Sequence, residues 1–154
     1  MASKRSIKCT YDGINFDSTS ERDRYIYLSF LEKSGEISDL KCQVKYELIP
    51  AQYEEFETGE FYKKGEKKGM PKIQRKLVEH AITYIADFVY YDKNGLLCCE
   101  DVKGFTHYAN GMYNNTYNVF SIKRKLMLYI HGIKVKEITS DFNPLKPKKA
   151  RKKK

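Results

Sequence analysis

Two apolar segments separated by a turn constrain the fold of this chain most. Residues 77–91 (LVEHAITYIADFVYY) and 96–102 (LLCCEDV) are rich in β-branched and aromatic side chains, which favour strands. The residues between them, Asp92-Lys93-Asn94-Gly95, have the composition of a tight turn. The two segments therefore predict a β-hairpin, which we expect at the centre of a sheet.

Helical and strand periodicities on either side of this hairpin predict the fold class. Ser18 and Glu21 have the spacing of a capping box, and apolar residues recur at helical spacing to about residue 34. Alternating apolar and polar residues over 40–48 predict a half-buried strand, residues 119–131 a second helix and residues 133–138 a last strand. This order predicts an α/β fold with a central mixed β-sheet flanked by helices.

The stretch between residues 51 and 75 lacks a clear period. Its glutamates come first and its lysines follow, interspersed with glycines. We interpret it as a long polar loop on the surface, or as a flexible hairpin. Two interpretations of this segment are open: it is a solvent-exposed loop whose charges balance, or it contacts nucleic acid.

The charge distribution predicts a polyanionic partner. The 154-residue chain has a formal net charge of +9, but residues 146–154 hold seven basic groups, so residues 1–145 carry only +2. We predict a single domain over 1–143 and a basic flexible tail over 144–154. Within this tail Lys148, Lys149 and Arg151 are candidate contacts to DNA phosphates. A nearly neutral body is compatible with an enzyme.

The cysteine pattern and the apolar runs bear on localisation. The four cysteines show no zinc-binding spacing, and the sequence contains neither a signal-peptide-like segment nor an apolar run of ~18 residues. We therefore expect a cytoplasmic protein with no membrane partner.

Two acidic residues and a lysine mark the predicted hairpin as a candidate site. Asp87 interrupts an apolar strand, where a buried carboxylate needs a cationic partner. In the next strand the period of two places Asp101 and Lys103 on one face, and Glu100 and Val102 on the other. Neighbouring carboxylates suit Mg²⁺ or Mn²⁺, and a lysine beside them suits phosphodiester hydrolysis.

Glu21 is a third candidate carboxylate, since helical spacing places it on the same face as Tyr25 and Leu28, toward the sheet. Each residue also has a structural interpretation. Glu21 could serve only as the capping partner of Ser18. Asp101 and Lys103 could form an exposed ion pair, and backbone amides alone could satisfy Asp87.

Five segments carry a resemblance to a known family: FDSTSERDRY (16–25), ISDLKCQVKYEL (37–48), YIADFVYY (84–91), CEDVKG (99–104) and SIKRKL (121–126). On these, the sequence resembles the PD-(D/E)XK nucleases, and within them a small phage-encoded family that is Holliday junction resolvase-like. The layout is also similar to that of phage endonuclease I type resolvases.

The resemblance implies a restriction-endonuclease-like core and roles for individual residues. Asp87 matches the first acid and a metal ligand, Asp101 the second acid, and Lys103 the catalytic lysine. Glu21 matches the helix glutamate, and the carbonyl of Val102 would bind the metal. Glu100 is an alternative second acid, although only Asp101 has a lysine two positions later.

The implied activity is Mg²⁺- or Mn²⁺-dependent cleavage of DNA, preferentially of branched DNA, and a homodimer because a symmetrical junction needs two cuts. Lys123, Arg124 and Lys125 in the second helix are candidate phosphate contacts, or else a solvated basic face. If the protein is phage-encoded, it acts in the cytoplasm of the bacterial host. The rival interpretations are another nuclease of this superfamily and a non-catalytic nucleic-acid-binding protein.

Overall fold

A computed structural model describes residues 7–104, 112 and 115–139 of the chain. Its elements, in chain order, are β1 (Cys9–Tyr11), β2 (Ile14–Phe16), α1 (Thr19–Lys33), β3 (Ile37–Ile49), β4 (Gln52–Phe61), β5 (Pro71–Glu79), β6 (Ile82–Asp92), β7 (Leu97–Lys103), α2 (Asn115–His131) and β8 (Val135–Thr139). The part of the chain that is described contains no helix long and apolar enough to cross a membrane.

The residues group into two compact units. The described residues up to Tyr46 and from Ile85 onward form the first, and Glu47–Tyr84 form the second. The single nuclease domain expected over 1–143 stays a prediction, and the basic tail over 144–154 lies outside the described residues.

A four-stranded sheet with the order β3-β6-β7-β8 forms the centre of the fold. Strands β6 and β7 pair antiparallel from Phe88↔Glu100 to Tyr91↔Leu97, across the turn predicted at 92–95. Strands β7 and β8 pair parallel, so a crossover is required between them, and α2 lies in it. The predicted hairpin at the sheet centre is confirmed over 82–91 and 97–102, as is the mixed character of the sheet, but residues 77–79 of the predicted first strand belong to β5.

The two helices contact opposite faces of β7. On one face Leu28 of α1 belongs to the main apolar cluster, which also contains Phe16, Ile37, Phe88, Tyr90, Val102 and Ile138. On the other face the Lys103 ammonium lies over the ring of Phe120 from α2. The α/β class, with a mixed sheet flanked by helices, is therefore confirmed.

The polar loop predicted over about 51–75 is wrong. Strands β4 and β5 pair antiparallel from Gln52↔Glu79 to Phe61↔Pro71, as the hairpin alternative proposed. The ion pairs Glu55–Arg75 and Glu60–Lys72 join the two strands. Most side chains of both strands are exposed, so the sequence lacks the apolar alternation that a half-buried strand shows.

A third hairpin, β1–β2, was not predicted from the sequence. Its turn contains Asp12 and Gly13, with φ angles of 50° and 73°. A turn with two positive φ angles favours Asp-Gly, so this dipeptide was the local signal for the hairpin. The turn leads the chain to Ser18, where α1 begins.

Candidate active site

A cavity of about 520 Å³ in the first unit brings together the four residues predicted to be catalytic, Glu21, Asp87, Asp101 and Lys103. Its other lining residues are Asp17, Gln43, Lys45, Ile85 and Val102. Residues that are 2 to 82 positions apart thus meet at one surface, which is what the predicted site required.

Asp87 lies where the ladder between β6 and β7 ends. Beyond the pair Phe88↔Glu100, Asp87 Oδ2 accepts the backbone N–H of Val102 at 2.6 Å. Burial, followed by repulsion from Asp101, nevertheless raises the pKa of the Asp87 carboxyl to about 7. The hydrogen bond from Val102 lowers the pKa of Asp87, but by less than burial and Asp101 raise it. A bound cation would relieve the repulsion between the two carboxylates.

Asp101 and Lys103 form an ion pair that is largely buried. Asp101 Oδ1 and Lys103 Nζ are 2.5 Å apart, with side-chain exposures of 5% and 23%. The Lys103 ammonium also lies 3.9 Å from the ring centroid of Phe120, a cation–π arrangement. The interpretation of these residues as a solvated strand-end pair is therefore wrong.

Glu21 is both a helix cap and a cavity residue. Ser18 Oγ accepts the Glu21 N–H at 3.1 Å, and its hydroxyl donates to Glu21 Oε1 at 2.8 Å. The Asp17 N–H donates to Glu21 Oε2 at 3.1 Å. Ser18 therefore caps α1 as predicted, while Glu21 accepts the backbone N–H of Asp17 in place of that of Ser18. Burial raises the pKa of Glu21, and the charges of Asp17 and Asp101 act in the same direction. The two interpretations of Glu21 are therefore compatible.

Glu100 is not part of the cavity. Its side chain is fully buried on the other face of β7 and accepts two hydrogen bonds from Arg24, at 2.7 and 2.8 Å. The Tyr90 hydroxyl donates a further hydrogen bond to Glu100 at 2.8 Å. The alternative in which Glu100 is the second acid is therefore wrong, because a guanidinium and a hydroxyl already occupy its oxygens.

Sequence reasoning missed the contribution of β3 to the cavity. Gln43 and Lys45 line it, from the polar set of the alternating pattern that predicted this strand. Gln43 has a φ of 54°, in the left-handed region that non-glycine residues seldom adopt. Its Nε2 donates to the backbone oxygen of Asn15 at 3.0 Å, which joins β3 to the segment leading into α1.

The donor chemistry of the cavity fits a hard divalent cation. Four carboxylates line it, those of Asp17, Glu21, Asp87 and Asp101, and the pKa values of Glu21 and Asp87 are raised. Within the residues that the structure describes, no three acidic, histidine or cysteine side chains already have the spacing of a metal centre. Asp101 Oδ1 is instead paired with Lys103.

The predicted DNA-contacting residues of α2 lie apart from the cavity lining. Arg124 forms an ion pair with Glu137 of β8, and its guanidinium lies 5.9 Å from the ring centroid of Phe120. Lys123 is half-buried and Lys125 is exposed. Contacts from these residues to DNA stay predictions, and Lys148, Lys149 and Arg151 lie outside the described residues.

A comparison with protein families matches residues 1–137 to the model described as "Protein of unknown function (DUF1064)". No curated protein and no solved structure matches the chain.

Proposed function

The chain belongs to the DUF1064 family, and we propose that it is a metal-dependent DNA endonuclease with a restriction-endonuclease-like core. The observation that supports this proposal is the meeting of Glu21, Asp87 and Asp101 with Lys103 at one cavity. Carboxylates that repel one another are typical of a site that receives a divalent cation, and functional sites are where such perturbed groups cluster.

Asp87, Asp101, Glu21 and the carbonyl of Val102 are the proposed ligands of Mg²⁺ or Mn²⁺. When bound, the ion would lower the pKa of a water molecule and stabilise negative charge on the phosphate. Asp87, whose pKa is raised to about 7, must release its proton before it can serve as a ligand. Its Oδ2 also fixes the backbone of Val102, which holds the neighbouring Asp101 and Lys103 in register.

Lys103 supplies a partly buried positive charge next to the carboxylates. Phe120 covers this ammonium group from one side and so limits its contact with water. A cation that is already desolvated and held in place stabilises developing negative charge more than a hydrated one does. We therefore assign Lys103 to the scissile phosphate and to the attacking water.

The substrate geometry follows from the resemblance to junction resolvases. We propose branched DNA as the preferred substrate, and a homodimer because two cuts are needed to resolve a symmetrical junction. The proposed setting is the cytoplasm, that of the bacterial host if the protein is phage-encoded. A different nuclease of the same superfamily would share the site and differ in its preferred DNA shape.

The competing function is binding of nucleic acid without cleavage. The acids of the cavity argue against it, because carboxylates on a phosphate-binding surface repel the ligand unless a cation lies between them. Replacing the Asp101 carboxylate with a neutral side chain removes this repulsion. It should therefore strengthen DNA binding while abolishing cleavage.

The test measures cleavage of a labelled four-way junction and of its matching linear duplex, in Mg²⁺ and in EDTA. We expect Mg²⁺-dependent cutting that favours the junction, and loss of cutting in Asp101→Asn and in Lys103→Ala. Lys93→Ala, at an exposed position of the β6–β7 turn, is the matched lysine control.

Three results would contradict parts of the proposal. Cleavage that survives in Asp101→Asn would show that the site is wrongly assigned. Equal cutting of both substrates would remove the preference for branched DNA. Binding to DNA without any cutting by the wild-type protein would favour the non-catalytic function.

A further inference from the structure

The second compact unit contains a concave surface of its own. Strands β4 and β5 and the connection between them enclose a groove of about 460 Å³, which we call the ribbon groove. Its lining includes Tyr62, Lys67, Met70, Ile73 and Arg75, together with the acid Glu55. None of these residues belongs to the cavity that holds Asp87 and Asp101.

The charge of the ribbon is concentrated at its tip. Glu55 and Glu60 of β4 form ion pairs with Arg75 and Lys72 of β5, at 2.9 and 2.8 Å. The tip, residues 62–70, contains one acid, Glu66, and four lysines, so its formal charge is +3. All four are exposed: Lys63, Lys64, Lys67 and Lys68. A cluster of this kind attracts a polyanion.

The ribbon also presents aromatic rings to solvent: Tyr62 lines the groove, and Tyr53 lies on β4 outside its lining. Tyr53 and Tyr62 are 53% and 37% exposed. The Arg75 guanidinium lies 5.9 Å from the ring centroid of Tyr53, and Lys67 Nζ lies 6.0 Å from that of Tyr62. A ring beside a cation can stack on a base while the cation contacts a phosphate, the combination found in surfaces that bind single-stranded nucleic acid.

The exposed apolar side chains of the ribbon indicate that a ligand covers it. Phe61, Met70 and Ile73 are each more than half exposed. A two-stranded ribbon by itself is only marginally stable in water, so large exposed side chains on it favour an interaction surface over a purely structural role. Lysines at the tip and tyrosines along one face select a ligand with both phosphates and accessible bases.

We propose that the ribbon groove and its lysine tip bind an unpaired segment of DNA, with the tip lysines on phosphates and Tyr53 and Tyr62 on bases. The choice of DNA as the ligand rests on the proposed nuclease function, which supplies the branched substrate. A branch point interrupts base stacking and exposes base faces that a continuous duplex keeps stacked. The ribbon would therefore favour branched over linear DNA without contributing a catalytic residue.

The test measures binding of the full chain to a labelled single strand, a four-way junction and a linear duplex by fluorescence anisotropy in EDTA, where cleavage cannot occur. The tip variant changes four lysines to glutamate: Lys63, Lys64, Lys67 and Lys68. The control variant makes the same change at four exposed lysines elsewhere: Lys33, Lys41, Lys93 and Lys134. Both variants therefore have the same net charge.

We expect the tip variant to bind single strand and junction at least about tenfold more weakly than the control variant, since several phosphate contacts are lost. A plot of log affinity against log salt concentration has a negative slope, and the magnitude of this slope should be smaller by about 2 to 3 for the tip variant. Equal affinities of the two variants would overturn the proposal. Circular dichroism and thermal melting check that both variants are folded.

A second variant, Tyr53→Ala with Tyr62→Ala, tests the contact to bases. It should weaken single-strand binding about fivefold or more, as expected when stacking on an aromatic ring is removed, and leave duplex binding near the wild-type value. Equal losses for the single strand and the duplex would overturn the assignment of unpaired DNA. Binding to phosphatidylserine vesicles that depends on the tip, with no tip-dependent DNA binding, would also overturn it.

The two proposals can fail separately. If the wild-type protein cuts no DNA but the tip variant loses DNA binding, the ribbon proposal stands and the nuclease function is wrong. If the wild-type protein cuts DNA and the tip variant binds and cuts like the control variant, the nuclease function stands and the ribbon proposal is wrong.

Discussion

Arg24 binds both carboxylate oxygens of Glu100 with a single guanidinium group. Nε donates to Oε2 at 2.8 Å and Nη2 donates to Oε1 at 2.7 Å. The two side chains are 6% and 0% exposed. Arg24 lies three residues after Glu21 on α1, and Glu100 directly precedes Asp101 on β7. One buried ion pair therefore joins α1, which carries Glu21, to β7, which carries Asp101.

We predict that Arg24→Ala and Glu100→Ala each lower the free energy of unfolding by about 3 to 5 kcal/mol, because each leaves a buried charge without its partner. Urea unfolding followed by circular dichroism measures this. The double variant Arg24→Leu with Glu100→Leu removes both charges. Its free energy of unfolding should therefore decrease by less than the sum of the decreases in the two single variants.

The control for this prediction is Arg22→Ala. Arg22 pairs with the adjacent Asp23 on the more exposed side of α1, so its removal should leave the unfolding curve close to that of the wild type. Equal effects of Arg22→Ala and Arg24→Ala would contradict the role given to the buried pair.

Phe120 is predicted to position Lys103. Phe120→Leu keeps an apolar side chain of similar size but removes the ring below the ammonium group. Loss of about 1 kcal/mol of cation–π interaction corresponds to a decrease of about fivefold in the cleavage rate. DNA affinity in EDTA should stay unchanged, because Phe120 is buried.

Single-turnover cleavage measures the Phe120→Leu effect, and Met127→Leu is the matched change at another buried position of α2. A cleavage rate of Phe120→Leu that equals that of Met127→Leu would show that packing, and not the ring, matters at this position.

The stability of the metal-free protein should fall as the pH rises toward 8. An unfolded Asp87 carboxyl loses its proton near the ordinary value of 3.8, whereas the folded one keeps it up to about 7. Between these values the folded state binds the additional proton, so raising the pH removes stability. Glu21, whose pKa is also raised, acts in the same direction.

Asp87→Asn removes the Asp87 contribution, so its unfolding free energy should decline less between pH 5 and 8 than that of the wild type. Urea unfolding in EDTA at several pH values measures both proteins. Parallel pH profiles of the two proteins would contradict the raised pKa of Asp87.

Mg²⁺ should stabilise the wild-type protein even when no DNA is present. At about ten times its dissociation constant a ligand adds roughly 1.4 kcal/mol, which raises Tm by about 3 to 6 °C for a chain of this size. Asp87→Asn and Asp101→Asn should abolish this increase, because each removes a carboxylate of the candidate site.

Glu100→Gln is the control for the Mg²⁺ prediction. It removes a carboxylate next to Asp101 in sequence but on the other face of β7, where Arg24 and Tyr90 bind it. Its Tm without metal should be lower than that of the wild type, and its increase in Mg²⁺ should be unchanged. If Mg²⁺ raised the Tm of Asp101→Asn but not that of Glu100→Gln, the metal would lie on the face of β7 that carries Glu100, which would contradict the proposed site.

Short-range patterns in the sequence determined the parts of the structure that depend on spacing along the chain. The capping box of Ser18 and Glu21, the alternation in β3 and the turn at 92–95 each involve residues within a few positions of one another. The period of two likewise places Asp101 and Lys103 on one face of β7 and Glu100 on the other. These features follow from backbone geometry, so they could be predicted.

Tertiary structure alone decided what each face contacts. Arg24 and Glu100 are 76 positions apart, and only the packing of α1 on the sheet shows that Glu100 is buried by a guanidinium. Similarly, α2 places Phe120 below Lys103, and antiparallel pairing of β4 with β5 forms a ribbon from a stretch that lacks strand periodicity. Strand period fixes which side chains share a face. Which element covers that face depends on strand order and on contacts between distant residues, which local spacing does not contain.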